Sequence, residues 1–192
     1  MCPLLGSLSR NAGAAAPGGP SVVGPAGYPA VGHDGGMDIS STASFPAKPL
    51  DVFALLTDRG FLEEVAREQG ATEWDVQVVN GTTTSKRTLP APPEAQRFTG
   101  NNLTVVEEIA WGEAASDGSR TGALTVKVPG QPIGMQGEVR LSPAGDETTC
   151  TITGDLKANI PLLGRKIEQM AAPAMLQGIK VQEKVGRRRL AG

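Results

Sequence analysis

Polar and apolar positions begin to alternate at Asp38. Ile39, Ser41, Ala43 and Phe45 fall on one face, the pattern of a half-buried strand. Pro49 suits the first turn of a helix, where its missing N–H would find no partner anyway. Val52, Phe53, Leu55 and Leu56 give that helix an apolar side. A second short helix is predicted from about Asp58, with Phe61, Leu62, Val65 and Ala66 on one side. It should end at Gly70, which tolerates the left-handed cap conformation. Trp74, Val76 and Val78 then alternate with polar residues, Asn80-Gly81 follows, and a Thr-rich run leads to Leu89. Asn-Gly between two strand-like runs specifies a two-residue hairpin turn. Pairing Val79 with Thr82 sets Val78 opposite Thr83, Val76 opposite Ser85 and Trp74 opposite Arg87, all six on one sheet face.

Residues 90–102 contain three prolines and Gly100, which predicts a loop with at most a helical turn. Four more strands follow. Leu103, Val105, Glu107, Ile109 and Trp111 share a face in the first, and Leu124, Val126 and Val128 in the second. Met135, Val139 and Leu141 mark the third, Cys150, Ile152 and Leu156 the fourth, the last alternating with Thr and charged residues. One wet face and one covered face is the antiparallel pattern. From Pro161 to about Leu190 the period becomes helical, with Leu163, Ile167, Met170, Ala171, Ala174 and Met175 recurring at three- and four-residue spacing. Pro173 lies inside this run and removes a backbone donor, so a kink is expected there. The chain is therefore predicted to be α+β: a strand, two short helices, six more antiparallel strands and a long C-terminal helix.

Composition divides the chain unevenly. Residues 1–36 hold nine Gly and five Pro and only two charged side chains, Arg10 and Asp34. With no apolar face to offset ordering entropy, this stretch is read as a disordered extension. Met37 opens the periodic part and is a candidate translation start, which the intact mass of the native product decides. The domain is placed at 37–192, long enough to bury a proper core. A net charge of −2 gives no overall field to recruit nucleic acid. No apolar stretch is long enough to span a membrane, and Cys2-Pro3-Leu4-Leu5 lacks the length and basic lead-in of a signal peptide, so a cytoplasmic location is expected. The only His, His33, and the only Tyr, Tyr28, precede the domain. Histidine-dependent nucleophile systems and histidine metal sites are thereby excluded from it, and no cofactor is expected. Cys2 and Cys150 lie too far apart in the pattern to suggest a disulfide framework or zinc knuckle.

The segments Phe45-Pro46-Ala47, Val52-Phe53-Ala54-Leu55-Leu56-Thr57-Asp58 and Arg87-Thr88-Leu89-Pro90 carry a resemblance. It continues through Leu103-Thr104-Val105-Val106, Trp111-Gly112, Gly118-Ser119-Arg120-Thr121-Gly122 and Val185-Gly186-Arg187-Arg188. Over about residues 37–191 the chain resembles the helix-grip fold of the START/SRPBCC superfamily, which includes birch-pollen-allergen-type proteins and polyketide cyclases. Within it the chain is similar to an uncharacterised actinobacterial family. The resemblance implies a seven-stranded curved antiparallel sheet wrapped around the C-terminal helix, with a cavity between them for apolar or amphipathic molecules. It transfers no catalytic residue. The N-terminal extension and Pro173 depart from the pattern.

On this expectation Trp74, Val76, Arg87, Val105, Glu107, Ile109, Trp111 and Met135 would line the cavity from the sheet. Ile167, Met170 and Ala174 would line it from the helix, each facing inward. Arg87 and Glu107 form the most informative pair, two charges on an otherwise apolar face. Arg87 either binds a ligand carboxylate or phosphate, with Glu107 orienting it or acting as a general base, or the two neutralise each other at the cavity edge, or Arg87 stacks on Trp74. Glu107 and Glu108 point to opposite faces and are no glycosidase pair. The glycines at 130, 134 and 137 lack the context of a phosphate-binding loop. Arg187 to Arg189 read as a solvated helix end rather than a nucleic-acid patch. The leading expectation is a binding protein for a lipid, sterol-like compound or polyketide. A cyclase- or dehydratase-type enzyme in the same pocket and a protein-interaction module without a cavity are the alternatives.

Overall fold

A computed structural model of the chain describes residues 35–91, 93 and 96–192. The extension read from residues 1–36 lies outside these but for its last two residues. Asn80 and Gly81 both take positive φ, 49° and 74°, as a two-residue hairpin turn demands. They join β2 (Glu73–Val79) to β3 (Thr82–Pro90) in the predicted register, Val79 with Thr82 and Trp74 with Arg87. Around this hairpin the sheet adds β4 (Asn102–Trp111), β5 (Arg120–Lys127), β6 (Ile133–Ala144) and β7 (Glu147–Ala158), while β1 (Met37–Phe45) closes the far edge beside β7. All six pairings are antiparallel, in the order β1-β7-β6-β5-β4-β3-β2. Ile39, Ala43 and Phe45 of β1, Leu124 and Val126 of β5, and Val139 and Leu141 of β6 are buried on one face, as their alternation predicted.

Two short helices follow β1: α1 (Pro49–Leu56), which has proline in its first turn, and α2 (Arg59–Glu68). Asp58 caps α2, its side chain accepting from the Phe61 N–H at 2.7 Å. The helix ends at Gly70, φ 79°, with Ala71 N bonded to Ala66 O and Gly70 N to Arg67 O, a Schellman closure. A single turn, α3 (Gln96–Thr99), interrupts the β3–β4 loop.

The C-terminal helix, α4 (Gly164–Leu190), starts three residues later than predicted. Leu162 takes a left-handed φ of 65°, which a helix cannot include, and residues 160–163 form a turn closed by Leu163 N and Gly164 N on Ile160 O. The helix runs on through Pro173. Pro173 and Gln169 are both exposed, so the carbonyl that proline leaves unbonded faces water. α4 packs against β1, β7 and α2. At Gly186 it comes so close to the sheet that a Cβ would lie 2.6 Å from the ring of the fully buried Phe45.

The arginines at the end of α4 are exposed, as expected of a solvated helix end, and are also bonded to the fold. Arg187 Nη1 donates to Ser44 O at 2.7 Å, and Arg189 Nη1 to Asp58 at 3.0 Å. Glu64 of α2 accepts from Arg188 Nη2 at 2.5 Å and Arg189 Nε at 2.6 Å. These bonds, Arg188's first, hold the Glu64 carboxyl below its ordinary 4.5. The folded state then binds this proton less tightly than the unfolded chain, so the interaction contributes fully above about pH 4.5 and fades as pH falls through the lower folded value. Glu64→Gln is expected to lower the melting temperature by about 2 °C at neutral pH, the modest size reflecting water screening, and to have a smaller effect at pH 3 than at pH 7. Melting curves at both pH values check this; a difference just as large in acid would mean that glutamine alters packing rather than charge.

Candidate functional site

The inward faces of β3 and β4 put the polar residues of the interior side by side. Ser85 pairs with Glu107 across the strands, and Arg87 pairs with Val105. Arg87 reaches diagonally to Glu107, Nη2 to Oε2 at 2.6 Å, with the two side chains only 9% and 22% exposed. Its Nη1 donates to Gln69 Oε1 at 3.0 Å, and the Gln69 amide donates in turn to Gly178 O of α4, also at 3.0 Å. A polar strut thus runs from β4 through β3 and the end of α2 to the C-terminal helix. Arg87 and Glu107 thus form an ion pair, and the guanidinium that lies over the Trp74 ring is that of Arg67.

Among the described residues three buried side-chain atoms have no hydrogen-bond partner: Ser85 Oγ, Arg87 Nε and Trp111 Nε1. Ser85 and Arg87 are successive inward positions of β3, both more than nine-tenths buried. Native interiors satisfy nearly all such groups, so a cluster of exceptions on one face needs a reason. The apolar residues nearby behave differently from a filled core. Val105, Trp111, Met175, Leu176 and Ile179 pack against the core yet keep accessible area, whereas Ile109, Val126 and Met135 are buried in it.

The predicted site residues separate into groups. Arg87, Val105, Glu107 and Ile109 come together on β3 and β4, with Met135 buried two strands away. Val76 is fully buried on β2. Trp111 closes the opposite end of β4, its ring edge-on to Phe53 of α1 with centroids 5.6 Å apart. The Arg120 guanidinium lies over the same Phe53 ring at 3.7 Å. Trp74, expected to line the cavity, is 38% exposed and has Arg67 of α2 over its ring at 5.8 Å. It belongs to the sheet's edge strand, where alternation fixes the face but not its cover. Ile167 is buried, whereas Ala174 is exposed and the buried small residue at that level is Ala172. The inward reading of Ala174 is therefore corrected, while Ile167, Ala171 and Met175 of the same stripe do pack inward. Met170 lines an open cleft of about 450 Å³ with Pro93, Arg97 and Lys166.

Gln69 and Glu168 have no signal in the sequence. Glu168 is buried and accepts from the Ala158 N–H at 2.9 Å, fastening the start of α4 to the end of β7. Ser85 does have a signal, its place beside Arg87 in the hairpin register. Cys150 is buried on β7, and burial, with a smaller push from Glu183, raises its thiol to about 12, so it stays protonated at neutral pH. Among the described residues no group of His, Cys, Asp and Glu could hold a metal ion, and no helix is long and apolar enough to cross a membrane.

Comparison of the fold with solved structures finds TTHA0849 from Thermus thermophilus at a TM-score of 0.57 and 18% identity, covering 81% of this chain and 97% of that one. A fragment of the STAR-related lipid transfer protein from Xanthomonas axonopodis gives 0.55 and 16%, covering 80% and 85%. Ara h 8.0201 gives 0.52 and 15%, covering 78% and 97%. At these identities the likeness is one of fold, the helix grip of a curved antiparallel sheet against a long C-terminal helix. No curated protein matches the chain in sequence. The profile of a family of proteins of unknown function, DUF2505, matches residues 40–190, and the chain belongs to that family.

Proposed function

We propose that the protein binds a hydrophobic or amphipathic small molecule, a lipid, sterol-like compound or polyketide, between the concave sheet face and α4. The observation that carries this is the pair of buried, partnerless donors on β3, Ser85 Oγ and Arg87 Nε, beside half-buried apolar side chains. Arg87 already gives Nη1 to Gln69 and Nη2 to Glu107. Glu107 already balances the Arg87 charge, and Nε is the guanidinium nitrogen without a partner, which suits a single neutral acceptor. The ligand's polar end is accordingly a hydroxyl or carbonyl, placed to meet Nε and the Ser85 hydroxyl together, with its apolar body against Val105, Met175 and Ile179. The likeness to a lipid transfer protein supports the fold this reading needs, and fold alone would not carry it.

Protein purified from its own host is expected to carry such a molecule, identified by native mass spectrometry and solvent extraction. Ser85→Ala then separates ligand from scaffold. Removing an unsatisfied hydroxyl relieves its desolvation, so the empty variant should be more stable by about 1 kcal/mol. Its affinity for the extracted molecule should fall about fivefold, the loss of one hydrogen bond. Protein that emerges empty, or a Ser85→Ala variant that binds undiminished, would count against the reading.

A further inference from the structure

The turn before α4 presents an apolar tip with a basic rim. Leu162 is fully exposed and held in left-handed backbone at φ 65°, and Pro161 and Leu163 beside it are exposed as well. A leucine in that conformation is strained, and here the strain holds its side chain out in solvent. Arg165 and Lys166 follow in the first turn of α4, both exposed and with no hydrogen-bond or ion-pair partner among the described residues. Lys166 shares the cleft lined by Pro93, Arg97 and Met170.

Antiparallel topology decides what else lies at this end. The β3–β4 loop, the β5–β6 turn and the β7–α4 turn are together, and Asn159 N is bonded to Pro132 O across two of them. Lys127 and Lys157 end their strands here, while the β5–β6 turn, residues 128–132, carries no charge. Of the described acidic residues at this end, Asp38 and Asp155 are set opposite each other on β1 and β7, Glu73 and Asp75 lie on β2 at the opposite edge of the sheet, and Glu168 is buried against Ala158 N. Glu113, Asp117, Asp146 and Glu147 all lie at the other end. The other end also holds Lys48, Arg120 and Arg187 to Arg189, so it is at the tip itself that charge is one-sided: from 157 to 166 the charged residues are Lys157, Arg165 and Lys166.

We infer that this end, with Leu162 and Leu163 at its tip and Arg165 and Lys166 beside it, docks on an anionic lipid surface. Leucines that enter the acyl boundary while long basic side chains reach the headgroups are the chemistry of an interfacial anchor. Each Lys or Arg close to an anionic leaflet is worth about fivefold in partitioning. A nucleic acid would leave the two leucines unused. Docking would set the cleft with Met170 against the bilayer, and the inference stands whether or not the interior binds a ligand.

The test is co-sedimentation of the full chain with vesicles of phosphatidylcholine alone and with vesicles of phosphatidylcholine and phosphatidylglycerol in equal parts. Binding is expected only to the second and should weaken steeply with salt. Leu162→Asn removes the apolar tip while suiting the left-handed backbone, so its melting temperature should not fall; its partitioning should drop about tenfold. Arg165→Glu with Lys166→Glu should lower it by more than about 25-fold, about fivefold for each charge lost before reversal is counted. A parent chain that does not sediment with the anionic vesicles, or a folded Leu162→Asn variant that binds as the parent does, would overturn the inference.

Discussion

Gly137→Ala is expected to lower the melting temperature by roughly 6–12 °C, the equivalent of about 3 kcal/mol for a domain of this size. Gly137 of β6 faces Gly154 of β7, which in turn faces Ile39 of β1. A Cβ on Gly137 would fall 1.9 Å from Thr153 O and 2.6 Å from Gly154 Cα. Both are backbone atoms in the middle of a paired strand, so no side-chain rotation relieves the clash; the strands must separate. The neighbouring strand can come over this position only because both partners lack side chains, and the result is a crease across β6 and β7. The expectation is that this glycine pair is what lets the sheet curve toward α4. Gly154→Ala should be milder, because a Cβ there meets the flexible Met135 side chain at 2.9 Å, although Gln136 O is at the same distance. Thermal melts of the two variants check the order. A Gly137→Ala protein melting within about 2 °C of the parent would show that the sheet's curvature does not depend on this contact.

Gly137 also shows what the sequence conceals. It is legible as a glycine inside an alternating strand, a known mark of a bend or a close backbone approach, but the partner that makes it critical lies in the next strand. Local rules are sufficient wherever the interaction is local. The Asn80-Gly81 turn specifies the hairpin register to the residue, and Gly70 marks the end of α2. Period gives the inward set of the other strands, because a strand has only two faces. A helix has no such binary choice, and the spacing along α4 points to Ala174 where the buried residue is Ala172. The start of α4 is hidden because the left-handed Leu162 follows a proline that favours a helical first turn. The Arg87–Glu107 pair is legible, since alternation places both charges on one face. Gln69 is not: it joins Arg87 to Gly178, 109 residues along the chain, and nothing in a glutamine before a helix-ending glycine announces that. For the same reason the partners that α2 gives to Arg188 and Arg189 are not legible in the terminus itself.

Glu107→Ala is expected to destabilise the protein by about 3 kcal/mol, the lower end for breaking a buried pair, because its own carboxylate retains some access to water. The damage lies with Arg87. Its side chain is 9% exposed, its Nε is already without a partner, and the substitution would leave only the Gln69 carbonyl to face a full positive charge. Glu107→Gln keeps an acceptor while losing the charge, and should cost roughly half as much. Replacing both residues together, Arg87→Met with Glu107→Leu, is expected to recover most of the stability, since an apolar pair of similar volume replaces two desolvated charges. Denaturant melts of the single and double variants give the coupling between the two sites. Additive losses would mean that the two charges do not act as a pair. The double variant also separates the reasons for keeping charge in an apolar interior. Stable protein that no longer binds the molecule extracted from the parent would assign the pair to recognition, with stability sacrificed to hold Nε toward a ligand. Stable protein that binds as before would leave the strut from β4 to α4 with a role in the fold alone, and would move the polar contact with ligand to Ser85.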